Sequence, residues 1–240
     1  MTLNEMITQR RSVRKYHQKP VSKELLDQIM AFCQNAQPLY PDIKVKANLV
    51  SKEEVRFYLP WKAPHLLAVY SENKPGFLEN VGFIFQQVDL YIQSLGLGSC
   101  WMGLGKLRYP EEPPEGMEFV ILIAFGIPDN VPVRSGAPDF QRKAMAEISD
   151  MDDPCLEPAR LAPSSTNSQP WYFIHEGNAV HAYCSEGGLL RHKMLGIMNR
   201  IDMGIALSQM YVTNADTFRF FSVDAPIYLK NLRYTGSFTI

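Results

Sequence analysis

The longest unbroken apolar stretch in the chain, Phe119-Val-Ile-Leu-Ile-Ala-Phe125 with Gly126 and Ile127, constrains the fold more than any other segment. It falls far short of the ~20 residues a membrane helix needs, so Glu118 to Gly126 reads as a buried strand. His65 to Ser71 is a second continuous apolar run, of the kind that suits a sheet covered on both faces, and Lys44 to Val50 reads as another strand. Helices are available as cover. Val81 to Leu95 predicts a long helix, apolar on most sides and ended at Gly96, where glycine can take the left-handed conformation. Thr2 and Glu5 stand at capping-box spacing for a short helix from Leu3 to about Arg10. Ser22 can cap a helix whose Leu25, Leu26, Ile29, Met30 and Cys33 share one face.

The rest of the chain predicts a helix over Asp139 to Ile148, an acidic interruption at Asp150-Met-Asp-Asp-Pro154 and a short helix to Ala162. A hairpin of Trp171 to His175 and Val180 to Ser185 about Gly177-Asn178 follows, then a long helix from Leu189 to about Thr213. Arg219 to Val223 and Ile227 to Tyr234 read as two last strands. Residues 1–150 and 151–240 thus share a plan of helix, strands, long helix and strand, with Val88-Asp89 and Ile201-Asp202 at similar places in the two long helices. The Asp150 to Pro154 segment breaks both helix and strand patterns and is the hinge candidate between them.

With 240 residues, 46% of them hydrophobic, the chain can bury a core without disulfides. Its 24 Lys and Arg against 25 Asp and Glu leave a net charge of −1, which fits neither a disordered chain nor a basic nucleic-acid binder and points to a small-molecule partner. Cys33, Cys100, Cys155 and Cys184 lie far apart, and the five histidines have no metal-ligand spacing, so no metal site is expected. The scattered thiols and an N-terminus without a charged segment leading into an apolar core suggest a cytoplasmic protein that does not enter a membrane.

Three segments can carry chemistry. Arg10-Arg11-Ser12-Val13-Arg14-Lys15 offers four cations and a hydroxyl able to neutralise a phosphate dianion, although a solvated charge run at a helix end uses the same residues. Leu161-Ala-Pro-Ser-Ser-Thr-Asn-Ser-Gln-Pro-Trp171, bounded by Pro163 and Pro170, must be an ordered polar loop whose donors and acceptors could read the edge of a heterocycle. Leu95-Gly-Leu-Gly-Ser-Cys-Trp-Met-Gly-Leu-Gly105 lets backbone approach a flat ligand, or simply leads a helix into a strand. It is neither a dinucleotide fingerprint, which wants glycine at Trp101, nor a phosphate loop, since Leu104 and Gly105 follow Gly103.

Taken together, Arg10 to Tyr16, Gly96 to Gly103, Gly126-Ile-Pro128 with Arg142-Lys143, and Ala162 to Trp171 resemble the nitroreductase family of FMN-dependent oxidoreductases. The resemblance implies an α+β fold of mixed or antiparallel sheets flanked by helices. The Pro-Ser-Ser-Thr-Asn loop follows the first long helix in most members, but here Ala36-Gln-Pro-Leu-Tyr-Pro41 holds that slot and the loop lies in the second half. This order resembles the branch in which two pseudo-symmetric halves of one chain imitate the usual dimer, implying one FMN per chain and allowing a monomer. By family role, Arg10, Arg11, Ser12 and Arg14 would hold the FMN phosphate and ribityl chain, joined by Arg142 or Lys143. Met102 and Gly103 would face the flavin N5 through the backbone, and Pro163, Ser164, Ser165 and Asn167 would cover the ring. NADH or NADPH would reduce the flavin, and a small nitroaromatic or quinone would take the electrons, with no protein nucleophile. The alternatives are an FMN-binding sensor or carrier without turnover, and a specialised dehalogenase or desaturase. Cys100 reads as a buried structural cysteine, and the loops Pro38 to Asp42 and Asn130 to Pro138 as the substrate-facing ones.

Overall fold

Two long helices cross backbone to backbone at the centre of the molecule. A Cβ added at Gly82 would lie 2.0 Å from the Ile201 carbonyl oxygen, and one at Gly204 would lie 2.0 Å from the Glu79 carbonyl oxygen. This contact is reciprocal and marks a pseudo-twofold axis, and only a residue without a side chain lets two backbones come so near. The structure is a computed structural model that describes all residues except 57–61, 109–112, 131–133, 135, 187–191 and 225–226.

In chain order the elements are α1 (Leu3–Ile7), α2 (Lys23–Asn35), β1 (Val45–Val50), β2 (Val55–Arg56), β3 (His65–Ser71), α3 (Phe77–Ser94), β4 (Gly98–Met102), β5 (Lys106–Leu107) and β6 (Glu118–Gly126). There follow α4 (Glu157–Leu161), β7 (Trp171–Glu176), β8 (Ala179–Ser185), α5 (His192–Thr213), β9 (Arg219–Phe221) and β10 (Leu232–Thr239). One four-stranded sheet has the order β1-β3-β6-β4 and the other β7-β8-β10-β9, so the two halves repeat one topology. Both sheets are antiparallel throughout. Parallel pairing among the described residues is confined to single bridges, Ser12 to Ser99 and Ser149 to Phe173. This is an α+β architecture as expected, two antiparallel sheets flanking a crossed helix pair.

Helix α3 is buried without a break from Leu78 to Leu90, which is why its sequence is apolar on most sides. Phe83, Phe85 and Leu90 are almost wholly enclosed, each contributing about 1.5–3 kcal/mol of burial. The core that Phe83 and Phe85 join runs from Leu67 and Ile123 of the first sheet to Phe173 and Phe238 of the second, while Leu90 packs in a smaller cluster with Met6, Ile7, Phe140 and Leu161. No helix among the described residues is long and apolar enough to cross a membrane.

Several expected boundaries move. Helix α1 ends at Ile7 rather than Arg10, because the chain is drawn off to β4: the Arg11 N–H donates to Gln93 Oε1 and the Val13 N–H to the Ser99 carbonyl. Helix α3 begins at Phe77, with Gly76 in the left-handed region before it. The helix expected over Asp139 to Ile148 is instead two 3-10 turns, Ala137–Asp139 and Met145–Glu147. Between them Phe140 is extended and the Lys143 N–H is given to Gln169 Oε1, so tertiary bonds displace helical ones. The last strand is Leu232–Thr239, not Ile227 to Tyr234; it runs beside β8 with a bulge between Tyr234 and Gly236. Its buried residues include Thr235, Gly236 and Ser237, small or polar side chains that hide the strand pattern. The first residues of the helix expected from Leu189 lie outside the described residues.

The helix repeat also shifts. The crossing pairs Gly82 with Gly204, so Asn80 corresponds to Asp202, and Asp89 does not. The Asp150 to Pro154 segment is pinned rather than loose, since the Asp150 N–H donates to the Phe173 carbonyl and both Asp150 and Asp153 accept from His175.

Candidate functional site

A cleft of about 400 Å³ opens between the end of β4, the loop after α4 and one side of α5. Ser12 and Arg14 line it from the arginine segment, Cys100 to Gly105 from β4 and the turn beyond it, and Pro163 to Thr166 from the polar loop. Helix α5 closes it with Met198, Ile201, Asp202 and Ile205. Three segments picked out by their chemistry, distant in sequence, therefore meet at one cavity of a size suited to a small ligand.

Of the twelve candidate residues, Ser12, Arg14, Met102, Gly103, Pro163, Ser164 and Ser165 line the cleft. Gly103 is one residue past the last ladder pair of β4, Met102 with Leu122. A Cβ there would lie 2.6 Å from Met198 Sδ, so the α5 wall sits directly on its backbone. Arg10 does not line the cleft. It is 1% exposed, its Nε donates to Asp89 Oδ2 at 2.9 Å and its Nη2 to Ser12 Oγ at 3.3 Å. Asp89 also accepts from Ser99 Oγ at 2.6 Å, and Gln93 Nε2 donates to that hydroxyl at 2.8 Å, so Arg10 works as a buried strut under the arginine segment. Arg11 turns away to a smaller cavity of about 230 Å³, which it lines with Arg134 and Gly96.

Arg142, Lys143 and Asn167 lie together behind the polar loop. Arg142 donates to Asn167 Oδ1 at 2.7 Å and to the Leu161 carbonyl at 3.1 Å, Asn167 Nδ2 donates to the Gln141 carbonyl at 2.7 Å, and Lys143 Nζ donates to the Gln169 carbonyl at 2.9 Å. These bonds hold a strained backbone. Thr166, Asn167 and Gln169 have φ of 52°, 57° and 48°, each costing about 1–2 kcal/mol for a residue other than glycine. The Ser165 N–H gives to Asp202 Oδ2 at 3.0 Å and the Gln169 N–H to Ser164 Oγ at 2.9 Å, which fixes the loop from both ends.

The electrostatics of this corner call for an anion. Burial, then the charges of Arg10, Arg134 and Arg160, pull the Arg142 guanidinium down to about 10. Burial, with Arg10 and Arg11, does the same to Arg134. Arg142 Nε is buried with no hydrogen-bond partner among the described residues. Crowded cations with an unspent donor fit a phosphate group, and they adjoin the cleft through Ser12 and the loop ending at Asn167. Nothing comparable favours a thiolate at Cys100, whose thiol is pushed up by burial against the pull of Arg14 and Arg10. Among the described residues no group of side chains could hold a metal ion.

Sequence reasoning missed Arg134, Met198 and Asp202. Asp202 carried a readable signal, as a lone acid in the apolar run Ile201-Asp-Met-Gly-Ile-Ala-Leu207. Arg134 lay inside the Asn130 to Pro138 loop without any sign of its own role, and Met198 carried no signal, because only the folded chain brings it to the site.

The fold and site can now be set beside known proteins. The family described as “Putative TM nitroreductase” matches residues 2–214. A crystal structure described as “a putative nitroreductase” from Thermotoga maritima shares 21% identity over 99% of this chain and 92% of its own, with a TM-score of 0.66. A nitroreductase with bound FMN from Desulfitobacterium hafniense is 17% identical over 60% of this chain and 100% of its own, at a TM-score of 0.44. No curated protein matches the chain. The chain belongs to the TM nitroreductase family that matches nearly its whole length.

Proposed function

We propose that the chain is an FMN-dependent oxidoreductase that takes a hydride from NADH or NADPH and then reduces a small nitroaromatic or quinone in the same cleft. The observation that carries this reading is the crowded arginine corner with the unspent Arg142 Nε, placed against a mainly apolar cleft. FMN, when bound, supplies the hydride chemistry, and the chain supplies binding, orientation and electrostatics. Arg142, with Arg134 and the Arg10 strut behind Ser12, would hold the phosphate. Ser12 and Arg14 give the cleft its polar edge, and the Met102-Gly103 backbone its opposite rim. Pro163, Ser164 and Ser165 would cover the ring, with Asn167 tying their loop to Arg142. Ile121, Met198, Ile201 and Ile205 exclude water from the reacting face. The two half-units, about 1–150 and 151–240, then share one FMN, an arrangement that allows a monomer and in which neither half holds the cofactor alone.

The test begins with colour. The protein should purify yellow or take up added FMN, and a colourless protein that binds none overturns the reading. Anaerobic mixing with NADH or NADPH should bleach the flavin; a flavin that stays oxidised with both leaves a binding protein without turnover. Arg142→Met should weaken FMN retention about 10–100-fold, the range of about 1.5–3 kcal/mol for a hydrogen bond to a charged group.

A further inference from the structure

Asp202 is the one acidic side chain among the described residues lining the cleft, and the reading above leaves its ionisation unused. It is 4% exposed and stands on α5 beside Ile201 and one turn before Ile205, both of which face the same cavity. Its hydrogen bond is from the Ser165 N–H to Oδ2. Ionisable groups on α5 and the elements packed against it include Arg14 and Cys100 in the cleft lining, Arg200 and Tyr211 on α5 itself, Cys184, Tyr183 and His181 on β8, Tyr172, His175 and Glu176 on β7, Glu157 and Arg160 on α4, Glu5 on α1, and Glu79, Asp89 and Tyr91 on α3. Arg160 is spent on Glu157, Glu79 on Arg200 and Arg233, and His181 on Ser237 and Glu176. None of them forms an ion pair with Asp202, so a charge there would be buried against apolar side chains with a single N–H to offset it. Burial accordingly pushes its carboxyl up to about 8, opposed only by the Ser165 bond.

A neutral carboxyl can accept the Ser165 N–H and still has an O–H to donate. We propose that Asp202 is a neutral hydrogen-bond donor to the ring system bound in the cleft, and that loss of its proton releases that ring. The inference rests on the flavin reading, since a flavin ring offers carbonyl oxygens and ring nitrogens as acceptors. It makes the cleft selective for uncharged aromatic rings with an acceptor at the edge.

The experiment is FMN affinity of the full chain from pH 7 to 9.5, where the FMN phosphate, with its second pKa near ~6, keeps a constant charge. The wild-type dissociation constant should hold to about pH 8 and then weaken by up to about tenfold per unit. Asp202→Asn, which keeps an acceptor for Ser165 and a donor but cannot ionise, should give a flat profile. In parallel, wild-type apoprotein should lose stability to urea relative to Asp202→Asn as pH rises from about 4 to about 8, because the folded state then holds a proton the unfolded chain has lost. A flat wild-type affinity profile, or one parallel to the variant, overturns the donor role. If the apoprotein difference is found but the affinity profile is flat, Asp202 is neutral yet does not meet the ring, and the flavin reading stands without the proposal. Absence of FMN binding at every pH overturns both. Should the variant not fold, the wild-type profile decides alone.

Discussion

The loop after α2 in the first half and the loop after α4 in the second hang on the same position of the two crossed helices, yet one covers an open cleft and the other fills its own. In the second half the Ser165 N–H is held by Asp202; in the first half the Leu39 and Tyr40 N–H groups are both held by Asn80 Oδ1 at 2.9 Å. Beyond this shared anchor the loops diverge. Tyr40 lays its ring on Gly76, where a Cβ would come within 2.7 Å of it, meets the edge of Phe220 at 5.5 Å and donates to the Thr235 carbonyl. Glu79 is clamped by Arg200 at 2.9 Å and by Arg233. The loop of Ser164, Ser165 and Thr166 carries no side chain large enough to do this, and the volume survives as the cleft. On the proposed reading, one site per chain follows from closing its twin. An amide suffices as anchor where nothing is to be bound, whereas a carboxyl stands where a ligand is expected.

Breaking the shared axis should have the largest effect. Gly204→Ala would set a methyl group 2.0 Å from the Glu79 carbonyl oxygen, a backbone atom that cannot swing away. The helices must part, and because one core spans both sheets the loss should appear in both halves at once. We expect about 3 kcal/mol or more of destabilisation, at the upper end of overpacking costs, read as a single lowered urea midpoint. Two separated transitions would show instead that the halves fold independently.

Tyr40→Ala tests the closed side alone. Removing a large, partly buried ring should cost about 2–4 kcal/mol and leave an apolar cavity beside Phe220. FMN stoichiometry should remain one per chain, because that side lacks the arginine corner and the serine-rich loop. Uptake of a second FMN by the variant would mean that Tyr40 alone had kept the twin site shut.

The parts of this arrangement legible from sequence were those written in local chemistry. Pro163 and Pro170 forced a loop, Thr2 and Glu5 capped a helix, and the run from Phe119 to Phe125 made one of the two inner strands of a sheet. The long helices were legible too, but not their register, since Gly82 and Gly204 matter through a contact between segments more than a hundred residues apart. The charge cluster from Arg10 to Lys15 looked uniform in sequence. Folding divides it, sending Arg10 to Asp89, Arg11 to the smaller cavity and Arg14 to the cleft, and it brings in Arg134 from a stretch that read as loop and Arg142 from one that read as helix. Cation count was readable; which way each cation points depends on partners such as Asp89, whose place beneath the segment no local pattern discloses.

The smallest expected effect concerns the connector that separates the halves. His175 gives Nδ1 to Asp150 at 2.8 Å and Nε2 to Asp153 at 3.1 Å, and donating from both nitrogens requires the protonated ring. Burial pulls its pKa down, but the hydrogen bonds and charges of the two carboxylates outweigh this and raise it. A histidine raised in the folded state adds stability below its unfolded value, near ~6.5, and that stability is lost as pH climbs through the raised folded value. Because the group is partly exposed the gain should be under about 1 kcal/mol. Amide exchange at Asp150 to Asp153 should therefore quicken as pH rises past that value, beyond the ordinary base-catalysed increase, while α3 and α5 stay protected. In His175→Gln the extra acceleration should vanish. If it persists, the connector is held by its backbone N–H bonds, among them Asp150 to Phe173 and His175 to Asp150, and the halves are joined with no help from this ion pair.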